Sequence, residues 1–277
     1  MTASDMTAIA LTIAGSDSCG GAGIQADIKT FSAFGVYGAS VITALTAQNT
    51  CGVTGVIPTP PGFIAKQIDA VAGDLAVGAT KTGMLATRDA VLTVAERVRH
   101  WNLRPLVVDP VMVATSGDTL LDADAIGAVR HHLIPLAELI TPNLHEAARL
   151  LDLQVARSVD EMKSQAEWLR SRFGARNVLI KGGHGEGAQA VDVLLAGDAF
   201  IALALPRLDA SNTHGTGCTL SAAITALLAL GVALPEAVER AKRYVWHGIA
   251  AGMALKVGKG AGPLDHLYKI RTHPLPE

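Results

Sequence analysis

Short apolar segments alternate with longer segments of helical period along this chain, and this alternation constrains the fold more than any other feature. Residues 8–14, 39–47 and 106–109 are apolar runs of strand length, while 22–34 and 88–99 have helical length and pattern. Alternation of this kind is typical of βαβ units that build one open sheet. The sequence therefore predicts an α/β fold.

The rest of the chain continues this pattern and then becomes helical. No linker, low-complexity block or internal repeat divides it, so one domain over residues 1–277 is expected. The remaining predicted elements are a helix after Pro61, strands at 79–82, 138–143 and 177–183, a hairpin turning at Gly197 and Asp198, a helix from Gly215 to a stop at Gly231, and a helix from Pro235.

The composition favours small molecules, or a second copy of the chain, as partners. A net charge of −2 with 17% charged residues provides no basic surface for nucleic acid or an anionic membrane. The longest apolar run, 220–234, is shorter than the roughly 18 to 20 residues that span a membrane, and we interpret it as a buried helix. The three cysteines have neither disulfide-framework nor zinc-site spacing and, without a signal-peptide pattern, they favour the cytoplasm.

Glycine, carboxylate and lysine residues are concentrated after the predicted strands, where open α/β sheets bind their ligands. The segment 212–218, NTHGTGC, directly precedes a helix. The backbone N–H groups of Gly215, Thr216 and Gly217 and the positive helix end can therefore bind an anion. The alternative for this stretch alone is an ordinary capped helix.

Cys218 lies in the first turn of the same helix. The helix dipole there favours the thiolate, relative to a free thiol pKa of about 8.5. A lone cysteine is usually a small buried hydrophobe, but this position favours a functional role. The pattern leaves base, nucleophile and simple contact open.

The glycine-rich loop at 15–23 follows the first predicted strand. Its spacing is not G-x-G-x-x-G, so no NAD site follows from it. Together with Ser16, Asp17 and Asp27, the loop could close over a small polar ligand. A tight turn with Asp17 as the helix cap is the alternative.

Oxygen ligands follow two later strands. Asp109 ends one strand, and Asn143 and Glu146 lie beyond another, which suits Mg²⁺. Lys181 follows a third strand and can reach nucleotide phosphates, although Glu146 and Lys181 taken singly could simply be solvated. These parts together meet the demands of phosphoryl transfer, and the absence of GxxxxGK[ST] excludes a Walker-type site. His184 and His214 show no metal-ligand spacing.

Seven segments in order resemble one known family. The chain is similar to the hydroxymethylpyrimidine and phosphomethylpyrimidine kinases of the ribokinase-like fold over nearly its whole length. The segments are LTIAGSDSCGGAGIQADIKTFSAFGVYG, SVITALTAQNTCGV, KTGML, DPVMVATSG, LITPNLHEA, KGGH and NTHGTGCTLSAAI.

This resemblance implies a fold, a reaction and a set of site residues. The fold would be a central, mainly parallel sheet flanked by helices in three αβα layers, and the assembly a homodimer. The reaction would use ATP and Mg²⁺ to phosphorylate 4-amino-5-hydroxymethyl-2-methylpyrimidine twice, giving the pyrophosphate used to build thiamin. The implied residues are Gln48, Gly15, Ala22, Asp27, Met84 and Val111 for the pyrimidine, Lys181, Asn143 and Thr141 for ATP, Asp109 and Glu146 for the metal, and Gly215, Thr216, Gly217 and Cys218 for the transferred group.

Two positions depart from the pattern expected by resemblance. Thr82 stands where Ile is expected, and Cys218 stands where the wider ribokinase class has a catalytic aspartate. The cysteine supports the pyrimidine-kinase branch and leaves the proton acceptor open. Competing hypotheses are a pyridoxal or pyridoxine kinase of the same fold, a Cys218-dependent hydrolase or acyltransferase, and a vitamin-binding module without turnover.

Overall fold

A computed structural model describes residues 7–112, 122–183 and 187–271 of the chain. Strands and helices alternate through most of this part, as the sequence predicts. The elements are β1 Ile9–Asp17, α1 Gly23–Ala33, β2 Tyr37–Asn49, β3 Gly52–Pro58, α2 Pro61–Ala72, β4 Ala79–Thr82, α3 Arg88–His100, β5 Leu106–Val108, α4 Ala123–Ala128, a π-helical turn Val129–Leu133, a 3₁₀ turn Ile134–Leu136, β6 Leu139–Ile140, α5 Leu144–Leu151, α6 Val159–Phe173, β7 Val178–Ile180, β8 Gln189–Ala196, β9 Ala199–Pro206, α7 Thr216–Ala229, α8 Leu234–Gly252 and α9 Tyr268–Arg271.

In the described part of the chain, nine strands form one sheet in the order β3-β2-β1-β4-β5-β6-β7-β8-β9. The pairings from β2 through β1, β4, β5 and β6 to β7 are parallel. The flanking pairings β2–β3, β7–β8 and β8–β9 are antiparallel. The predicted mainly parallel sheet is confirmed, and so is the hairpin that turns at Gly197 and Asp198.

Helices cover both faces of the sheet, and the side-chain alternation of β5 shows why. Leu106 and Val108 belong to the core shared with α2 to α6, whereas Val107 belongs to the core shared with α7 and α8. Successive residues of a strand point to opposite faces, so an entirely apolar strand requires cover on both sides. The three-layer αβα architecture is confirmed.

Helix ends determine which groups face the carboxyl edge of the sheet. Asn143 and Glu146 form a capping box at the start of α5, each side chain accepting from the other's backbone N–H. Helix α7 ends just before Gly231, whose φ of +79° favours glycine, as expected. None of the described helices is long and apolar enough to cross a lipid bilayer.

Candidate active site

A cavity of about 590 Å³ lies at the carboxyl ends of the parallel strands. This is the edge where the ligands of open α/β sheets bind. At one end, called the Gln48 end, the wall contains Gly15, Ala22, Gln48, Met84 and Val111; at the other, called the Trp246 end, it contains Ala190, Asp192, Leu205, Lys242 and Trp246.

The first turn of α7 lines the cavity between the two ends. Gly215 precedes this turn with a φ of +78°, and a Cβ added there would lie 1.9 Å from the Gly21 carbonyl oxygen. A Cβ on Gly217 would lie 3.3 Å from Lys181 Nζ. The two glycines therefore let the loop approach its neighbours closely, and the positive end of a 14-residue helix faces the cavity.

A charged cluster of Asp109, Glu146 and Lys181 opens onto the middle of the cavity. Lys181 Nζ lies 2.8 Å from Asp109 Oδ1 and 3.8 Å from Glu146 Oε2. Asp109 also accepts bonds from the hydroxyls of Thr141, at 3.2 Å, and Ser221, at 3.1 Å. The strand ends thus bring the sequence-predicted metal and phosphate ligands together.

The pKa values of this cluster reflect burial and charge. Burial raises the pKa of Glu146 to about 7, with Lys181 opposing and Asp109 reinforcing the shift. Burial acts in the same direction on Asp109, but the ammonium groups of Lys181 and Lys81 outweigh it and lower the pKa of Asp109. Lys181 is the ammonium that contacts both carboxylates, and an added cation would relieve the remaining negative charge. Two hard oxygen donors in this setting fit Mg²⁺.

The structure corrects the expectation that Cys218 favours the thiolate. Removal from water raises the pKa of the Cys218 thiol to about 11, despite the nearby charge of Lys81 and the backbone N–H of Gly23. The helix dipole is a smaller effect than this desolvation. Cys218 is therefore a neutral thiol near pH 7.

A second charged pair, Asp27 and Lys81, lies beneath the segment 212–218 that leads into α7, which we call the α7 loop. Both side chains of the pair are 0% exposed. Lys81 Nζ donates to Asp27 and, at 3.3 Å, to the carbonyl of Cys218. Thr12 Oγ1 donates to the other oxygen of Asp27 at 2.6 Å. Asp27 was expected in the pyrimidine pocket, but it contributes nothing to the cavity wall and instead supports the loop from below.

Thr141 is similarly displaced from the wall. Its side chain is fully buried and donates to Asp109, so it supports that carboxylate from behind the wall. The other predicted site residues all lie on the wall of the one cavity: Gly15, Ala22, Gln48, Met84, Asp109, Val111, Asn143, Glu146, Lys181, Gly215, Thr216, Gly217 and Cys218.

Asp17 ties the first loop to the α7 loop. Its carboxylate accepts from the backbone N–H groups of Cys19, Gly21 and Ala22 and lies 2.9 Å from His214 Nε2. Asp17 therefore holds the tight turn before α1 and lines the cavity, but it does not cap the helix, because its backbone bonds go to residues that precede Gly23 and the N-cap residue is Ala22. Ligand atoms of Asp17, Cys19 and His214 lie within 4.8 Å of one another, but these hydrogen bonds already use the carboxylate. That His214 is no metal ligand stays a prediction, and His184 lies outside the described residues.

Sequence analysis missed the Trp246 end. Lys242 Nζ lies 2.7 Å from Asp192 Oδ2, and Asp192 Oδ1 accepts from the Gly182 N–H at 2.8 Å. This pair fixes the turn that follows Lys181. The available signal was a lysine and a tryptophan, 242 and 246, one turn apart on a helix predicted to pack against the sheet.

Comparison with known proteins identifies relatives over almost the whole chain. The family model for phosphomethylpyrimidine kinase matches residues 17–265. A hydroxymethylpyrimidine/phosphomethylpyrimidine kinase of Rhizobium meliloti is 53% identical over 264 residues, covering 95% of this chain and 98% of the relative. The protein of that name from Escherichia coli is 48% identical and covers 94% and 97%.

Solved structures of similar fold carry two activities in their names. The ADP complex of Bacillus subtilis pyridoxal kinase superposes with a TM-score of 0.88 at 38% identity, covering 97% of this chain and 100% of that one. Phosphomethylpyrimidine kinase from Clostridium difficile gives 0.77 at 46% identity, covering 87% and 98%. Because the phosphomethylpyrimidine kinase model matches residues 17–265, this chain belongs to the phosphomethylpyrimidine kinases of the ribokinase-like fold.

Proposed function

We propose that the protein is a hydroxymethylpyrimidine and phosphomethylpyrimidine kinase of thiamin biosynthesis. It transfers a phosphoryl group from ATP to 4-amino-5-hydroxymethyl-2-methylpyrimidine and a second to the resulting monophosphate. The observation that carries this proposal is the single cavity in which Gln48, the α7 loop and the Asp109–Lys181 pair face the same space. Relatives of that name, at 48 to 53% identity, support the choice of acceptor.

Each part of the cavity has a defined task. The pyrimidine binds Gln48, with Gly15, Ala22, Met84 and Val111 around it. The ATP phosphates meet Lys181 and Asn143, and the adenine occupies the Trp246 end. The first turn of α7 presents backbone N–H groups to the phosphoryl group in transit, which stabilises charge where it develops.

Mg²⁺ is the metal that Asp109 and Glu146 would hold. When bound, it neutralises charge on the phosphates that approach this cluster. Lys181 stays protonated, because the carboxylates of Asp109 and Glu146 raise its pKa above the ordinary value despite burial. Lys181 therefore remains a fixed positive charge through the transfer.

The two alternative functions, a pyridoxal kinase and a Cys218-dependent hydrolase, receive different support. Pyridoxal kinases of 35 to 38% identity superpose with TM-scores of 0.88, which favours vitamin B6 alcohols as second acceptors. A Cys218 hydrolase would need His214 oriented on the sulfur, but His214 Nε2 lies against Asp17 instead.

The assembly is a homodimer of single-domain chains, and its location is the cytoplasm, where ATP is available. Apolar side chains on β2 and β3 support the dimer, since Leu45 is 51% and Ile57 69% exposed. Exposed apolar groups clustered at a sheet edge are typical of interfaces. The continuous nine-stranded sheet supports a single domain.

The proposal is tested by phosphorus NMR of the protein with Mg-ATP and hydroxymethylpyrimidine. Appearance of the monophosphate followed by the pyrophosphate is expected. The monophosphate alone would limit the protein to an alcohol kinase, and no transfer would contradict the proposal. Cys218→Ala should lower kcat more than it weakens pyrimidine binding, and unchanged turnover would exclude the thiol from the mechanism.

A further inference from the structure

Gln48 is held in an unusual way at the end of β2. The β2–β3 register shifts between Ala47 and Gln48, which marks a β-bulge. Ser18 holds the backbone of Gln48 from both sides, because its hydroxyl donates to the Gln48 carbonyl at 2.7 Å and accepts from the Gln48 N–H at 2.9 Å. Bulges re-aim side chains, and this one directs Gln48 to the cavity.

Thr46 holds the side chain of Gln48 in turn. The Thr46 hydroxyl oxygen lies 2.9 Å from the Ser16 carbonyl oxygen and 3.1 Å from Gln48 Oε1. Thr46 is 9% exposed, so water provides little competition for these bonds. All three groups line the cavity.

We propose that Thr46 is a specificity-determining residue, which fixes the polarity of the Gln48 carboxamide and so selects acceptor rings that carry an amine. This inference rests on the proposed function. A hydroxyl has one hydrogen, and the Ser16 carbonyl can only accept. When Thr46 donates to Ser16, its oxygen is left to accept a bond from the Gln48 amide nitrogen.

Rotating the Gln48 carboxamide by a half turn about its last bond exchanges its oxygen and nitrogen and places the nitrogen next to Thr46. The two orientations occupy nearly the same volume. Gln48 Oε1 and one remaining N–H then face the cavity. The 4-amino group of the pyrimidine donates to that oxygen, and the neighbouring ring nitrogen accepts from that N–H. A ring without the amine leaves the oxygen unpaired, which is how polar sites reject analogues.

The test is a double-mutant cycle between an enzyme hydroxyl and a substrate amine. Wild type and Thr46→Val are compared on hydroxymethylpyrimidine and on its desamino analogue, 5-hydroxymethyl-2-methylpyrimidine. We expect wild type to prefer the amine by about 10²-fold in kcat/KM, and Thr46→Val to prefer it by about tenfold or less. The KM for ATP should stay the same.

Two further variants separate polarity from local structure. Thr46→Ser keeps the hydroxyl and should restore the wild-type preference. Thr54→Val removes a matched hydroxyl on β3, which bonds the Ala47 carbonyl at 3.0 Å, and should leave the preference unchanged. If Thr46→Val lowered kcat/KM equally for both pyrimidines, the inference would be overturned while the proposed function stayed intact. Wild type that phosphorylates neither pyrimidine would overturn both.

Discussion

Two lysine–aspartate pairs lie on either side of the α7 loop, with the same charges and opposite access to the cavity. Lys81 and Asp27 are both 0% exposed, and their partners are Thr12 and the Cys218 carbonyl. Lys181 is 13% exposed, and it shares its charge between Asp109 and Glu146. In the first, the sealed pair, one lysine balances one carboxylate. In the second, the open cluster of Lys181, Asp109 and Glu146, one lysine faces two carboxylates.

This difference separates positioning from chemistry. A buried pair whose hydrogen bonds are satisfied fixes geometry, because any change of partner leaves an uncompensated charge. An open cluster with surplus negative charge binds a cation and the phosphates that accompany it. Substitution of the sealed pair should therefore affect folding first, and substitution of the open cluster should affect turnover first.

The largest effect on turnover is expected at the open cluster. Lys181→Met should lower kcat/KM by about 10³-fold, because it removes a fixed charge from the transferring phosphates. Folding should suffer less, since Glu146, with a pKa of about 7, can take up a proton. Steady-state kinetics beside urea unfolding measures both quantities. Lys163→Met, at a lysine paired on the surface, is the control, and a loss below tenfold in Lys181→Met would contradict the assignment.

Breaking the sealed pair should have the largest effect on stability. Lys81→Met leaves Asp27 buried and unpaired, which costs about 3–5 kcal/mol of unfolding free energy. The double variant with Lys81→Met and Asp27→Leu should recover most of that loss. Urea unfolding of the three proteins provides the measurement. If the single variant unfolded like wild type, Asp27 would not depend on Lys81 for compensation.

A smaller effect is expected from the pH dependence of the open cluster. Glu146 must lose its proton to bind a cation, and its pKa is about 7 in the metal-free protein. The apparent Mg²⁺ affinity should therefore fall by about tenfold per pH unit below 7 and level off above it. Titration of activity with Mg²⁺ from pH 5.5 to 8.5 tests this. Glu146→Gln should flatten the dependence, and an equally steep variant would show that another group titrates.

Local patterns made the sheet and the open cluster predictable. Asp109 and Lys181 follow strands directly and Asn143 comes shortly after β6, so the parallel sheet brings them to one edge. The sealed pair joins residues 54 apart, and the bonds of Asp27 and Lys81 depend on how α1 packs on β1 and β4. Nothing near Asp27 in the sequence indicates its partner, and the family resemblance alone places it in the pyrimidine pocket.

Desolvation was the other physical quantity that the sequence could not provide. The pKa of Cys218 depends on how much water the folded cavity admits, and this depends on segments from distant parts of the chain. The Asp192–Lys242 pair was missed for a similar reason, since its two residues lie on β8 and α8. Site residues were predictable where backbone position alone brought them together, and not where long-range packing decided their surroundings.

The smallest expected effect concerns β4 itself, which carries Lys81 of the sealed pair on one face and, on the other, two hydroxyls without a partner among the described residues. Thr82 is fully buried, and its hydroxyl lacks a hydrogen-bond partner among the described residues. It pairs in register with Ile13 and Val108, both members of the apolar core. Thr82→Val keeps the shape and removes the unsatisfied group, so it should raise the unfolding free energy by about 1 kcal/mol.

The matched control for Thr82 is Thr12, which lies on the neighbouring strand and donates to Asp27. Thr12→Val removes the same atom from a satisfied bond and should lower the unfolding free energy by about 1–3 kcal/mol. If urea unfolding shows a higher unfolding free energy for Thr82→Val and a lower one for Thr12→Val, β4 separates a satisfied polar face from an apolar one. A loss of stability in both variants would instead mean that Thr82 has a partner, and the expected Ile at this position would then be a poor substitute.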